Sequence, residues 1–358
     1  MGDQNEQSAR SSEATGPALQ AAGGMADDMV LPFRAEASAI NGRVVRLSGV
    51  IDTILTAHAY PEPIAILLGE ALTAVAILGS TLKFGARLTL QTQTDGPAHF
   101  VVADYQSPGH LRGYIAYKAD ALNAAPDAYL SEARRAALLG KGRLAMTIDP
   151  GPGLTQYQGL VEVNGDTMAT AARKYFRQSE QLPTYLRLAV SKHYSAAAAA
   201  GEHGADAGWQ WRAGGLMIQH LTPEGGHPAT APAALAEITA ENQNEQPLYG
   251  DDDEDWARTR MLAETVMDHE LLDPELAPNE LLYRLFHEEG VRVYDPHPVA
   301  AFCGCNRERI QLMLTRFSDE DRNDMRRDDG SIEVTCQFCS SVYLFNDADL
   351  ENGCQPGG

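Results

Sequence analysis

Phe302-Cys303-Gly304-Cys305 and, further along, Thr335-Cys336-Gln337-Phe338-Cys339 place four of the chain's five cysteines in two close pairs. Cys303 and Cys305 form a C-x-C pair, and Cys336 and Cys339 form a C-x-x-C pair. Four thiols at such spacings suffice to close a tetrahedral site around one Zn²⁺. Common zinc ribbons use wider gaps in both halves, so the one-residue gap is the more discriminating half of the signature. Four thiolates fill every zinc position and leave none for water, so hydrolytic chemistry is not expected. Bound zinc keeps the sulfurs deprotonated, and the thiolate is the form that oxidants attack. Structural zinc contributes about 10–16 kcal/mol to the folding of small peptides. Oxidising the ligands should therefore release the metal and unfold its module together. Taken alone, the pattern supports two readings, an inert structural site and a redox switch. The fifth cysteine, Cys354, reads as an exposed thiol of no particular role.

The module around the cysteines spans residues 296–350, followed by a short tail, 351–358. Asn306–Leu314 reads as helical, and Ser318 with Asp321 resembles a capping box for a short charged helix. Ile332–Thr335 and Val342–Phe345 flank the C-x-x-C pair as strand, knuckle and strand. Upstream, residues 223–295 read as a linker. Its first part, to about residue 255, is dominated by Pro, Ala, Glu, Asn and Gln and ends in the acidic run Asp251–Asp255, which reads as a solvated loop. Two helices are expected after it. One carries the loose stripe Trp256, Met261, Leu262, Val266, Met267, Leu271 and Leu272. The other, capped by Asn279, has Leu281, Leu282, Leu285 and Phe286 on one face. So much apolar surface must pack on something. Either the helices dock permanently on the preceding domain or they form a removable cover, and nothing local decides.

Residues 29–222 read as one domain of mixed helix and strand. Glu62-Pro63 opens the apolar run Ile64–Leu78, which carries Gly69 and Glu70 and reads as a buried core helix, not a membrane span. Arg87, Thr89, Gln91 and Gln93 alternate with Leu88, Leu90 and Thr92 at the period of a strand. Asp95-Gly96 is a hairpin-type turn into Ala98–Ala103. Arg43–Leu47, Leu111–Ala116, Leu144–Ile148, Tyr157–Val163, Tyr185–Val190 and Gly215–Leu221 are further strand candidates, and Asp166 is placed to cap a helix running to Phe176. Strands outnumber helices without regular alternation. The expected class is α+β, with a mixed N-terminal domain, a helical linker region and a small C-terminal Cys₄ zinc module.

The chain has 358 residues and a net charge of −21, which argues against non-specific binding to nucleic acid or anionic membrane. Residues 1–28 carry no apolar h-region and read as a disordered tail, so a cytoplasmic location is expected. There, clustered cysteines bind metal or do redox chemistry more often than they staple a fold. Gly140-Lys-Gly-Arg-Leu-Ala145 matches G-x-G-x-x-A but precedes a strand, so it reads as a turn. His287-Glu288 lacks a second histidine at position 291. Neither a P-loop nor G-x-S-x-G occurs, and His58 beside Tyr60-Pro61 reads as a packed or hydrogen-bonded histidine. The residues suggest no catalytic site and no enzyme. A zinc-ribbon nucleic-acid protein is disfavoured by acidity and by the lack of a basic-aromatic stripe. A thiol-disulfide oxidoreductase using Cys336 and Cys339 would lack the βαβ context and leave the C-x-C pair unexplained.

The cysteine pattern, together with His58-Ala-Tyr-Pro61, Leu67-Leu-Gly-Glu-Ala-Leu72, Leu111-Arg-Gly-Tyr114, Gly140-Lys-Gly142, Ser179-Glu-Gln-Leu-Pro-Thr184, Gly214-Gly215 and Leu282-Tyr-Arg-Leu-Phe-His-Glu-Glu289, resembles the heat shock protein 33 family over roughly residues 30–350. These are redox-regulated, ATP-independent holdase chaperones of the bacterial cytosol. The first 28 residues are extra to the family's usual length, and the linker around 223–255 is enlarged and acidic. The resemblance implies one zinc per chain on Cys303, Cys305, Cys336 and Cys339 in the reduced, inactive protein. It further implies that oxidation pairs Cys303 with Cys305 and Cys336 with Cys339, that zinc then leaves, and that module and linker unfold. The resemblance implies, finally, that the apolar surface so exposed captures unfolding client proteins under oxidative stress, with dimerisation on activation. Client identity, preferred oxidant, activation threshold and the client-binding surface are not legible in the chain.

Overall fold

A computed structural model describes residues 27–123, 132–195, 199, 208–220 and 253–351. The N-terminal tail to residue 26, most of the acidic linker and Cys354 lie outside the described residues. The strands are β1 (Met29–Ala35), β2 (Ile40–Leu47), β3 (Arg87–Thr94), β4 (Phe100–Gln106), β5 (His110–Ala116), β6 (Lys141–Asp149), β7 (Tyr157–Asn164), β8 (Thr184–Tyr194), β9 (Trp209–His220), β10 (Val291–Val293), β11 (His297–Pro298), β12 (Ala300–Ala301), β13 (Ile332–Thr335) and β14 (Val342–Phe345). The helices are α1 (Gly49–Thr56), α2 (Glu62–Gly79), α3 (Ala119–Asn123), α4 (Glu132–Leu139), α5 (Met168–Tyr175), α6 (Glu254–Glu264), α7 (Asp268–Leu272), α8 (Pro278–Phe286), α9 (Arg307–Leu314), α10 (Asp319–Asp324) and α11 (Asp347–Glu351).

Two six-stranded sheets dominate the α+β fold. The first runs β10-β1-β2-β9-β8, with β11 also paired to β1, and the second runs β12-β5-β4-β3-β6-β7. Helix α2 packs on strands of both sheets, and every residue from Ile64 to Gly79 is buried. It is long and apolar enough by composition to cross a membrane, yet 89% of it lies inside the protein. Its apolarity therefore belongs to a core helix, as expected, because a helix enclosed on all sides needs no polar face. Gly140 sits at φ +70° just before β6, and Asp95 Oδ1 accepts the Lys141 N–H at 2.6 Å, so the G-x-G-x-x-A match is a turn into a strand.

Three local expectations need correction. Thr167, not Asp166, caps α5, and its hydroxyl accepts the Thr170 N–H at 3.2 Å. Asp166 instead accepts the Asn164 N–H and pairs with Lys174 Nζ at 2.7 Å, tying the turn to the helix it precedes. Asn279 lies inside α8. Pro278 takes the first helical position, where its missing N–H costs nothing, and Ala277 is the cap. The stripe from Trp256 to Leu272 is two helices, since Thr265 and Val266 end α6 and Met267 starts α7 in extended conformation. Strand β1 and helix α1 have no counterpart in the sequence-based expectations.

The linker helices lie on the first sheet. Trp256, Ala263, Val266, Leu271, Leu281, Leu282 and Phe286 are buried against Leu31, Phe33, Ile40, Val44, Tyr185, Ala189, Leu216 and Ile218. Phe33 and Phe286 stack with ring centroids 5.5 Å apart. Burying each large side chain contributes about 1.5–3 kcal/mol, so apolar contact is the main attraction holding the helices to the sheet. Polar contacts fix where they sit. The buried guanidinium of Arg46 donates to the carbonyls of Glu270 and Asp273, and that of Arg212 donates to Leu272 O at 2.9 Å. Two cations thus meet the free carbonyls at the C-terminal end of α7, where the helix dipole favours positive charge. The α7 backbone also approaches β9 so closely that a Cβ on Gly214 would lie 2.5 Å from Leu271 O.

Beyond α8 the chain is stitched to both sheets before it reaches the cysteines. Strand β10 pairs with β1, β11 pairs with β1, and β12 pairs in parallel with β5. These short strands cover edges that would otherwise expose unpaired backbone groups. The segment that follows has its own small core of Ile310, Leu314, Ile332, Phe345 and Leu350.

Candidate metal centre

The C-x-C pair sits between β12 and α9, where Asn306 caps the helix by accepting the Arg309 N–H at 2.8 Å. The C-x-x-C pair occupies the tight turn between β13 and β14. In that turn the Cys336 N–H donates to Ser341 O and the Ser340 N–H to Cys336 O, both at 2.9 Å, with Ser340 at φ +55°. Both pairs are thereby presented on short, hydrogen-bonded backbone segments. Between the two pairs in sequence, the Ser318–Asp321 capping box forms in both directions at the start of α10.

The four Sγ atoms all lie within 4.8 Å of one another. Cys303 and Cys336 sulfurs are 3.6 Å apart, and those of Cys305 and Cys339 are 3.3 Å apart. A tetrahedral zinc with Zn–S near 2.3 Å sets its sulfurs about 3.8 Å apart. The donor set and its convergence therefore fit a closed four-sulfur metal site. Tyr343 Oη lies 3.3 Å from Cys305 Sγ, and Ser341 Oγ lies 3.3 Å from Cys339 Sγ, so two hydroxyls support the sulfurs from outside.

Without metal the thiols hold their protons unevenly. Burial, followed by hydrogen bonds among the thiols, pushes Cys303 up to about 12. Burial also raises Cys305. Burial acts upward on Cys339 as well, but hydrogen bonds to the Ser341 side chain and backbone outweigh it and bring the thiol down to about 7. The bond to Cys305, followed by burial, raises Tyr343 to about 12, so its hydroxyl stays a donor at neutral pH.

The cysteine module rests on the second sheet. The ring of Phe338, inside the C-x-x-C pair, lies 4.2 Å beneath the Arg112 guanidinium and 5.8 Å from Tyr114 in a T-shaped contact. Both partners belong to β5. Arg112 is itself fixed by Asp104, whose Oδ2 accepts from Nε and Nη2 at 2.8 and 2.7 Å. His58 Nδ1 and Ser340 Oγ are 2.7 Å apart, and His58 stacks on Tyr60. On the C-x-C side, Phe302 stacks on His110 at 4.7 Å.

The structure thus brings together all four cysteines singled out from the sequence. His58 is hydrogen-bonded, as expected, but its partner is in the metal module. Arg112, Tyr114, His110 and Phe338 were not singled out as site residues. Arg112, Tyr114 and Phe338 lie within the stretches that carry the family resemblance, yet no spacing rule links β5 to a turn more than two hundred residues away.

The comparisons agree with this architecture. A family model described as Hsp33 protein matches residues 28–346. A 33 kDa chaperonin of Caulobacter vibrioides is 40% identical over 320 residues, covering 89% of this chain and 95% of the relative. One from Pectobacterium carotovorum is 33% identical over 326 residues, covering 91% and 96%. The crystal structure of a heat shock protein 33 homologue from Thermotoga maritima superposes with a TM-score of 0.66 at 22% identity, covering 91% of this chain and 97% of that one, which shows the shared fold. The chain belongs to the Hsp33 family of redox-regulated chaperones.

Proposed function

We propose that this protein is an ATP-independent holdase whose metal centre keeps an apolar sheet covered until its ligands are oxidised. Residues 29–222 form the chaperone core, 223–295 the linker and 296–350 the switch module. Cys303, Cys305, Cys336 and Cys339 hold one Zn²⁺ per chain in the reduced form. The observation that carries this reading is continuity: the four converging sulfurs end a segment whose preceding helices bury the first sheet. Zinc, when bound, supplies folding energy and keeps the thiols ionised. The module's own core, five buried apolar side chains, is too small to do the same.

Oxidation pairs Cys303 with Cys305 and Cys336 with Cys339. Each pair of thiolates gives two electrons to one hydrogen peroxide, which takes two protons from solvent, so that one S–S bond forms, the O–O bond breaks and two waters leave. The sulfurs no longer serve as thiolate ligands, so the module loses the constraint that folded it. Phe338 then leaves Arg112 and Tyr114. Strands β10 to β12 lose their downstream anchor, and α6 to α8 are free to leave the sheet. The apolar surface they bury binds unfolding proteins without sequence specificity. The chain works as a binding protein, not an enzyme, in the cytoplasm, and dimerises when active. Its charge of −21 helps keep a client-loaded species dissolved.

The test treats the zinc-loaded protein with peroxide under mild heat and follows zinc release and suppression of client aggregation together. The two should rise in parallel. Complete zinc release with no effect on aggregation would sink the proposal.

A further inference from the structure

A cavity of about 330 Å³ lies at the seam between the second sheet and the metal module. The sheet contributes Arg87, Asp104, His110 and Arg112. The module side contributes Phe302, Arg309 and Gly304, the residue between the two cysteines of the C-x-C pair. Three guanidiniums therefore converge on one small space in a molecule of net charge −21. Two carboxylates oppose them. Asp104 takes Nε and Nη2 of Arg112, and Asp149 stands opposite Arg87 in the β3–β6 register. Among the residues that line the cavity, three guanidiniums face the single carboxylate of Asp104.

The arginines are positioned but not saturated. Arg87 donates through Nη2 to Gln106 Oε1 at 3.2 Å, and Arg309 donates through Nη1 to Gly304 O at 3.1 Å. A guanidinium has five N–H donors in a rigid fork suited to phosphate-type oxygens. These bonds use one or two on each side chain and hold the fork's direction. The stack of His110 on Phe302 closes one wall. The space is too small for a folded peptide and too polar for an apolar ligand.

We infer that this seam binds a small multivalent oxyanion of the phosphate or diphosphate class, and that the bound anion holds the metal module against the sheet. The site exists only while the module is docked, because Arg87 and Arg112 are on one side and Arg309 on the other. A ligand that requires both sides stabilises the docked state by linkage. At ten times its Kd it lowers the opening equilibrium about elevenfold. The binding stands on the cavity alone, whereas its effect on opening rests on the proposed switch.

The experiment is calorimetric titration of the reduced, zinc-loaded protein with inorganic pyrophosphate and, separately, with ADP, with zinc content checked after each run. Saturable binding is expected and should weaken with salt. Stronger binding of pyrophosphate assigns the site to the free anion, and equal or stronger binding of ADP assigns it to a nucleoside-borne diphosphate. Arg87→Gln and Arg309→Gln should each weaken binding on the order of tenfold to a hundredfold, the range for one charge-assisted hydrogen bond. Arg292→Gln, at an exposed ion pair elsewhere, should not. Absence of binding at millimolar pyrophosphate, or binding indifferent to both seam variants, overturns the site. If pyrophosphate binds as expected but peroxide releases zinc at an unchanged rate, the site stands and its role as a clamp falls. Neither result depends on whether the oxidised protein holds clients.

Discussion

The guanidinium of Arg112 lies 4.2 Å from the ring centroid of Phe338. One residue belongs to a strand of the second sheet and the other sits inside the C-x-x-C pair, so the contact joins the body of the protein to the metal centre without involving a sulfur. A cation over an aromatic face contributes about 0.5–2 kcal/mol. Phe338→Ala should leave all four ligands and one zinc per chain in place while loosening the module from β5. The corresponding gain in the undocked population is roughly 2- to 30-fold. Hydrogen exchange across residues 296–350, together with zinc content, checks this. A variant that purifies without metal would show that Phe338 is needed to fold the metal site itself.

Metal removal should act locally at first. The module's core comprises Ile310, Leu314, Ile332, Phe345 and Leu350, whereas the main body is built around α2 and two sheets. Chelation under reducing conditions should therefore abolish exchange protection in residues 303–350 while α2 and strands β3 to β9 stay protected. Because the ligands must be deprotonated, the same chelator should strip metal more easily as pH falls. Uniform loss of protection across the whole chain would mean that the module is not a separate folding unit.

The cover can be tested without touching the metal centre. A Cβ on Gly214 would lie 2.5 Å from Leu271 O and 3.0 Å from Leu271 Cβ. Gly214→Val therefore forces α7 away from β9, and overpacking of this kind costs about 1–3 kcal/mol. The expected outcome is a reduced, zinc-loaded protein that binds an apolar dye and partly suppresses client aggregation. If the variant keeps its zinc and behaves as wild type in both assays, α7 is not part of what shields the sheet.

How much of this was readable beforehand depended on the range of the interaction. The two close cysteine pairs, the knuckle between β13 and β14, the core helix α2 and the Ser318–Asp321 box are local patterns, and the structure brings the four sulfurs together and forms the other three as expected. The caps of α5 and α8 were misplaced because neighbouring residues compete for the same role. Thr167 beats Asp166 once Lys174 engages the carboxylate, and Pro278 fixes the start of α8 one residue before Asn279. Sequence patterns leave open whether the linker helices dock for good or form a removable cover; both readings need the contact that the stacked Phe33 and Phe286 make on the first sheet, and no local pattern names those partners. The contacts of His58 with Ser340 and of Arg112 with Phe338 join residues far apart in sequence, so no local pattern announces them.

Acid should weaken the cover through two glutamates. Glu289, buried in the 3-10 turn that follows α8, accepts from Arg258 of α6 at 2.6 Å, and this bond, against the opposing effect of burial, holds its carboxyl below the usual glutamate value. Burial raises Glu270, but the Met267 N–H and Arg284 outweigh it, so its carboxyl is lowered as well. A carboxyl whose folded pKa is depressed contributes stability that is present above its unfolded value, near 4.5, and lost as pH falls through the folded one. Both glutamates sit within the segment that covers the first sheet. Exchange protection of residues 254–289 should therefore hold from neutral pH down to about 5 and then fall as the pH drops further. Glu289→Gln should flatten that fall and lower protection at neutral pH, because the amide keeps the shape but weakens the bond to Arg258. Acid loss of protection that is equally steep in the variant would remove Glu289 from the account.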